Sequence, residues 1–237
     1  MQLIRQTLLA LCIGVLVAFL GMHDLPTSTA QAAQTDSWTF VRLIHASPDA
    51  GIVDVFIDGR KTLSNFQFGT VTGYVPVTPG SHKIQIALIG TGPNAAVLTQ
   101  TLSMNANLPY TVAALGTKAT GYTLQVFADN NVIVGNLAKV RIYHLSPGTG
   151  TVNVSTQHNM LVHNLAYEEA SNYITVPAGT YTFNVTVTPA NSTVPVSTQL
   201  KPWTVTSIFA VGIANGKPQI QFVLTQVNGL PGMPGTG

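Results

Sequence analysis

Hydrophobic and polar residues alternate with a period of two along much of the chain. In residues 53–58, Val53, Val55 and Ile57 share one face, and residues 84–88 show the same alternation. This period predicts β-strands with one buried face, and the Gly, Pro and Asn clusters between them predict turns. Further strands are predicted at 97–102, 110–115, 122–127, 194–200, 204–211 and 219–225. Because no segment keeps a helical period, the predicted fold class is all-β.

The chain contains a tandem duplication. Residues 41–48 have the sequence VRLIHASP, and residues 140–147, 99 positions later, have the sequence VRIYHLSP. Self-similarity at a constant offset indicates that one domain occurs twice. About seven short strands per copy, separated by regular turns, predict two tandem immunoglobulin-like β-sandwich domains. We place copy 1 at residues 39–137 and copy 2 at residues 138–228.

The first 33 residues are predicted to be an export signal. Arg5 is followed by an apolar run at 8–21 and by the small-residue pattern AQA at 30–32. The apolar run is shorter than the roughly 20 residues that span a bilayer, so we favour cleavage at position 33 or one residue earlier over a membrane anchor. We expect a secreted or cell-envelope protein without a membrane span after cleavage. Cleavage would remove Cys12, the only cysteine, which excludes thiol catalysis and Cys-bound metals.

The charge content is unusually low. Only 8% of the residues are charged, against about 25% in an average soluble domain. The net charge is +2, and the only adjacent basic pair is Arg60-Lys61. A nucleic-acid partner is not expected, because it would need a basic patch that neutralises phosphates. The tail at 229–237 has glycine at every third position, but three triplets are too few for a collagen helix, so we predict a flexible end.

Two histidines recur at the same place in both copies. His45 and His144 each lie two residues before a Ser-Pro pair. Occurrence in both copies favours a structural role, in which the buried ring bonds to backbone and anchors the following turn. His82 aligns with Tyr181 at a core-facing position, so we predict a packed ring rather than a ligand.

Asp49, Asp54 and Asp58 form the densest acidic group of the chain. Calcium prefers several oxygen ligands, so a calcium site is one interpretation of these residues. Asp54 and Asp58 share a strand face but are about 13 Å apart, since a strand rises about 3.3 Å per residue. One ion cannot bridge that distance. A turn at Asp58-Gly59 is the favoured interpretation.

The second copy has a His/Glu group that the first copy lacks. It comprises His158, His163, Glu168 and Glu169. Two imidazoles and a carboxylate could hold zinc with one open position, and His158, His163 and Glu168 are the candidate metal ligands. A polar loop surface is the alternative interpretation. No nucleophile elbow, zinc-protease motif or phosphate loop is present, so we expect no enzymatic activity and no cofactor.

Residues 41–50 and 53–59 resemble the signature of the DUF4397 family. The resemblance continues through Phe68-Gly69, Tyr74, the Pro79-Gly80 turn and residues 110–116, and it is looser in the second copy. It implies a secreted bacterial β-sandwich domain that often occurs in tandem. The family has no established activity, so the resemblance assigns no catalytic residue.

These observations favour a non-enzymatic binding or structural module of the bacterial cell surface, whose partner is an extracellular protein or polysaccharide. Trp38 and Trp203 could stack on sugars, although isolated tryptophans more often lie in a core or at a domain edge. One alternative is a metal-binding protein or metal-dependent enzyme that uses the second-copy His/Glu group. Another is an envelope protein that self-associates through its sheet edges.

Overall fold

The computed structural model describes residues 37–188 and 192–229, which belong to one compact unit. The predicted export signal and the tail from residue 230 onward lie outside the described residues. Within the described ranges, no helix has the length and hydrophobicity that crossing a membrane requires.

The described residues form seventeen strands and one short 3₁₀ helix, Pro93–Ala95. The strands of copy 1 are β1 (Thr39–His45), β2 (Val53–Ile57), β3 (Arg60–Phe66), β4 (Val75–Val77), β5 (Gly80–Leu88), β6 (Ala96–Met104), β7 (Pro109–Thr117) and β8 (Gly121–Ala128). The strands of copy 2 are β9 (Leu137–His144), β10 (Thr151–Ser155), β11 (Met160–Leu165), β12 (Glu169–Ala170), β13 (Ile174–Pro177), β14 (Gly179–Thr188), β15 (Ser192–Leu200), β16 (Thr204–Val211) and β17 (Gln221–Asn228). The predicted all-β fold of two tandem β-sandwich domains is confirmed.

Each copy consists of two sheets with the same strand order. In copy 1 the orders are β4-β1-β7-β8 and β3-β2-β5-β6, and in copy 2 they are β12-β9-β16-β17 and β11-β10-β14-β15. β13, the counterpart of β4, also pairs with β9. The pairs β1–β7 and β9–β16 are parallel, whereas the other strand pairs are antiparallel. The sequence pattern does not predict β3, because only one of its seven residues is buried and its pairing with β2 is irregular.

The sheets containing β1 and β9 are buried on both faces. On β7, Val112 and Ala114 point into the core of copy 1, while Ala113 and Leu115 belong to a third apolar cluster shared with copy 2. Phe209 on β16 contributes to that cluster from the other copy. The two sandwiches therefore pack sheet against sheet, which explains the nearly continuous burial of β7 and β16.

A buried charge network crosses this contact between the copies. Asp129, which follows β8, accepts hydrogen bonds from the hydroxyls of Tyr143 at 2.7 Å and Tyr74 at 2.7 Å. Arg141 of copy 2 donates to the same carboxylate at 3.1 Å, and Arg42 of copy 1 lies 3.7 Å from it. Arg42 and Asp129 are each only 1% exposed. The carboxylate is thus an acceptor shared by both copies.

Arg42 is held by both copies as well. Its guanidinium donates to Thr111 at 2.8 Å within its own copy and to Ser207 at 2.8 Å in the other. Its Nη1 has no hydrogen-bond partner among the described residues, but the guanidinium carbon lies 4.9 Å from the ring centre of Tyr74 and 5.4 Å from that of Phe209. Burial in such a network makes the relative placement of the two copies depend on a few directional bonds.

The outward faces of the two outer sheets are polar. On β5, Ser81 and Lys83 are exposed, and on β14, Thr180 and Thr182 are exposed. The inward side chains between them form the separate cores of the two copies. Apolar surface is therefore buried in three layers, one inside each sandwich and one between them.

Candidate functional site

The repeated histidines have a structural role, as predicted. Nε2 of His45 lies 3.0 Å from the carbonyl of Gly51, and Nε2 of His144 lies 2.7 Å from the carbonyl of Gly150. Burial lowers the pKa of both rings, so each is neutral and donates from Nε2. Each histidine ties the end of its strand to the loop that follows the Ser-Pro pair.

The three aspartates of copy 1 do not share a site. Asp49 accepts hydrogen bonds from the backbone of Lys118 at 2.9 Å and from the hydroxyl of Tyr122 at 3.2 Å. Asp54 is buried and accepts from Lys61 at 2.6 Å, which holds the pKa of its carboxyl well below the usual range. Asp58 lies in the β2–β3 turn with a φ of 51°, as the predicted turn requires. Each carboxylate is thus used within the fold.

The second-copy histidines and glutamates are spread over the β10–β11 hairpin and the segment that follows it. His158 lies in the turn, His163 lies on β11, and Glu168 has a left-handed φ of 68° and donates its backbone N–H to His144. In the part of the chain that the structure describes, no three His, Cys, Asp or Glu side chains are grouped as a metal site would need. The structure therefore does not bring His158, His163 and Glu168 together.

An open cleft lies along one side of the first sandwich, and we call it the edge cleft. It has a volume of about 540 Å³. Its lining residues come from the edge strands β3 and β4, from β2 and β5, and from the segment before β1: Trp38, Ile57, Asp58, Arg60, Thr62, Pro76, Val77, Thr78 and His82. An adjoining apolar pocket of about 160 Å³ shares Ile57 and Thr62 with it. The side between the two sheet edges is therefore open rather than sealed.

The edge cleft contains an ion pair between the buried ring of His82 and the exposed carboxylate of Asp58. Nδ1 of His82 lies 2.7 Å from the Asp58 carboxylate, and Nε2 lies 2.7 Å from the carbonyl of Thr78. Both partners are acceptors, so this arrangement favours the protonated ring, in which both nitrogens donate. The hydrogen bond to Asp58 raises the pKa of His82, and the same bond lowers the pKa of Asp58. The prediction that the His82 ring is packed is correct, since the residue is buried. The sequence did not predict its contact with Asp58.

We expect the pKa of His82 to lie above its ordinary value of 6.5, whereas burial keeps those of His45 and His144 below it. Titration of the ring resonances by NMR measures all three in one sample. Asp58→Asn removes the charge but tolerates the left-handed backbone of this turn. It should lower the pKa of His82 and leave the other two unchanged.

The same pair makes stability depend on pH. Because the pKa of His82 is raised on folding, the histidine stabilises the fold fully below pH 6.5, and this stabilisation is lost as the pH rises through the pKa of the folded state. Because the pKa of Asp58 is lowered on folding, the aspartate stabilises the fold fully above pH 3.8, and this stabilisation is lost as the pH falls through the pKa of the folded state. Asp58→Asn should therefore reduce the free energy of unfolding most between pH 3.8 and pH 6.5, where both groups are charged. Titration of His82 below 6.5 in the unmodified protein would contradict the assignment.

The two copies differ at the polar and aromatic positions of the edge cleft. Copy 1 has Trp38, Asp58, Arg60 and His82 there. The equivalent residues in copy 2, at an offset of 99, are Leu137, Gln157, Asn159 and Tyr181. The exposed aromatic and all three charged groups are thus specific to the first copy.

One contact at this position is nevertheless common to both copies. The hydroxyl of Tyr181 donates to the carbonyl of Pro177 at 3.0 Å, and Nε2 of His82 makes the equivalent bond to Thr78. A ring tethered to the end of the edge strand is therefore part of the fold. Copy 1 differs from copy 2 in having a ring that can carry a charge at this position and in pairing it with Asp58.

Both tryptophans are partly exposed, so neither lies in a core, the first of the two positions that were considered for them. Trp38 is 43% exposed, and its carbonyl accepts a hydrogen bond from Asn107 at 2.9 Å. Trp203 is 52% exposed and donates to Leu137 in the equivalent turn of copy 2. Asn107 and Trp203 have left-handed φ values of 63° and 61°. Asparagine suits that conformation better than tryptophan.

A protein-family model described as a domain of unknown function, DUF4397, matches residues 39–155 and 138–232. The sandwich pair described above is therefore two copies of one family domain, and the chain belongs to the DUF4397 family. No curated protein matches the chain.

Similar solved structures include one described by the words "Alpha-glucan binding by a streptococcal virulence factor", with 10% identity and a TM-score of 0.24, covering 78% of this chain and 95% of that one. Another is described as a candidate cell adhesion protein of Bacteroides uniformis, with 11% identity and a TM-score of 0.25, covering 83% of this chain and 99% of that one. Sequence identities and TM-scores this low support no conclusion about the ligand or activity of this protein.

Proposed function

We propose that this protein is an exported, non-enzymatic binding module of the bacterial cell surface or envelope, and that its ligand occupies the edge cleft of copy 1. The observation that carries this proposal is the difference between the copies. They agree where residues build the fold, and they differ where Trp38, Asp58, Arg60 and His82 line one cleft. Residues that the fold of the second copy does not need are available for a ligand.

The chemistry of the edge cleft favours binding over catalysis. Both ring nitrogens of His82 face acceptors of the protein itself, so neither is directed at a ligand as a general base would be. Asp58 accepts from His82 through one oxygen and from the backbone of Lys83 at 2.8 Å through the other. Both groups are thus engaged by the protein itself, and they form a fixed polar wall.

The edge cleft suits an extracellular protein or polysaccharide. Trp38 combines an apolar ring with a polar edge, which is typical of residues at the centre of binding surfaces. Its carbonyl accepts a hydrogen bond from the backbone N–H of Asn107, so the backbone that carries the ring is ordered before a ligand binds. The remaining wall combines threonine hydroxyls with the apolar side chains of Ile57 and Val77.

A screen of the purified protein against cell-wall fractions, extracellular polysaccharides and surface proteins tests the proposal. We expect Trp38→Ala to weaken any binding found by about tenfold or more, because tryptophans at interface centres carry much of the affinity. Trp203→Asn is the matched control and should leave binding unchanged, since asparagine is native to the equivalent turn. Thermal melting of both variants shows that they fold. Equal effects of the two variants, or turnover of a ligand that stops in Trp38→Ala, would contradict the proposal.

A further inference from the structure

We propose that the ligand of the edge cleft is an acidic polysaccharide of the uronic-acid type, with Arg60 binding the sugar carboxylate and Trp38 stacking on the sugar ring. This inference rests on the proposed function and specifies its ligand class. It also assigns contact residues that the family resemblance does not provide.

Arg60 supplies a free cation to the edge cleft. It is exposed on β3, and its guanidinium makes no hydrogen bond or ion pair with the described residues. Arg42 and Arg141, by contrast, are bound to Asp129 and its neighbours. Neighbouring Lys61 is paired with Asp54 at 2.6 Å. A guanidinium left without a partner in a cleft is suited to a planar carboxylate, which it can bind through two parallel hydrogen bonds.

The charges of the edge cleft leave that cation uncompensated. His82 and Asp58 neutralise each other at 2.7 Å. Arg60 is the remaining charged residue among those that line the edge cleft. An anionic ligand is therefore favoured over a neutral or cationic one.

The ring of Trp38 favours a sugar as the carrier of the carboxylate. A pyranose presents C–H groups on its face and hydroxyls at its rim, so it can cover an aromatic ring while its edge bonds to polar groups. Thr62 on β3 and Thr78, which directly follows β4, contribute hydroxyl groups to the lining of the cleft. The edge cleft is open along its length, which a chain of sugar units requires.

Polygalacturonate and its fully methyl-esterified form test this inference, since they differ only in the carboxylate. Binding is measured by calorimetry with the folded protein at about 0.15 M salt, where distant charges are screened. We expect polygalacturonate to bind and the ester to bind at least about tenfold more weakly. Arg60→Gln should weaken polygalacturonate binding about 10- to 100-fold, the value of one charge-assisted contact. Trp38→Ala should weaken binding of both forms.

Lys118→Gln is the matched control, because it removes one exposed positive charge elsewhere on copy 1. It should change affinity by less than about twofold. Equal binding of the ester, or equal loss in Lys118→Gln and Arg60→Gln, would overturn the carboxylate assignment, as would absence of binding to polygalacturonate. Equal binding of poly-glutamate would overturn the sugar assignment. In each of these cases the proposed function survives if Trp38→Ala still abolishes binding of another ligand.

Discussion

Asp129→Asn is expected to lower the free energy of unfolding by about 3–5 kcal/mol, because it leaves the buried Arg42 and the partly buried Arg141 without their shared counter-charge. The carboxylate accepts bonds from Tyr74, Tyr143 and Arg141, and it lies 3.7 Å from Arg42. Burial raises the pKa of both tyrosines, so their hydroxyls stay protonated and act as donors. The amide would present N–H groups to partners that are themselves donors. Urea-induced unfolding followed by fluorescence measures the loss.

Asp49→Asn is the control for this experiment. Asp49 is exposed, and its two hydrogen bonds lie at the surface of copy 1. We expect a cost below about 1 kcal/mol, as for most exposed polar groups. If Asp129→Asn costs no more than Asp49→Asn, the buried network does not hold the two copies together.

Phe209→Ala is expected to destabilise the protein by about 3–5 kcal/mol, the usual cost of removing a buried phenylalanine. Phe209 is fully buried between the copies and stacks on Tyr143 with ring centres 4.5 Å apart. Because the cavity would open in a cluster to which both copies contribute, both copies should lose stability together. Each copy has one tryptophan, so Trp203→Asn leaves a reporter in copy 1 and Trp38→Phe leaves one in copy 2.

The two reporters should give the same unfolding midpoint, both with and without Phe209→Ala. Leu224→Ala on β17 serves as the control, since Leu224 is 38% exposed and its truncation should cost less than about 1 kcal/mol. Separate midpoints, with copy 1 unaffected by Phe209→Ala, would show that the sandwiches unfold independently.

The strands and their duplication could be predicted from sequence because alternation and turn residues are local signals. β16 was predicted at its observed bounds, and β7 within two residues at each end. β3 was not predicted because few of its side chains are buried, so its sequence shows no alternation of hydrophobic and polar residues. The short connection between the strand blocks predicts closely held domains, but the residues of their contact could not be predicted, for a related reason. Arg42 lies in a repeated motif, but its partner Asp129 is remote in sequence and corresponds to Val227 in copy 2.

The edge cleft could be predicted only in part. The sequence singles out Asp58, which lines the cleft, only as one of three aspartates, together with Asp49, which bonds within the fold. Nothing in the sequence distinguishes Arg60 from other polar residues on the surface. It lines the same cleft as Trp38 because β3 and β4 lie on either side of the opening. His82 aligns with a tyrosine that makes the same backbone bond, so the alignment alone conceals the charge of the ring.

The polar outer faces distinguish this pair of domains from an open array of repeats. In stacked-repeat proteins every internal unit offers an apolar face to the next, and growth ends only at specialised caps. Here each domain has one face of that kind and turns it toward its sibling, while Lys83 and Thr182 lie on the opposite sides. The exposed residues of these outer faces differ from the apolar side chains of the contact between the copies. Each domain thus covers the apolar face that the other would expose if it stood alone, so separating the two would create a large exposed apolar patch on each.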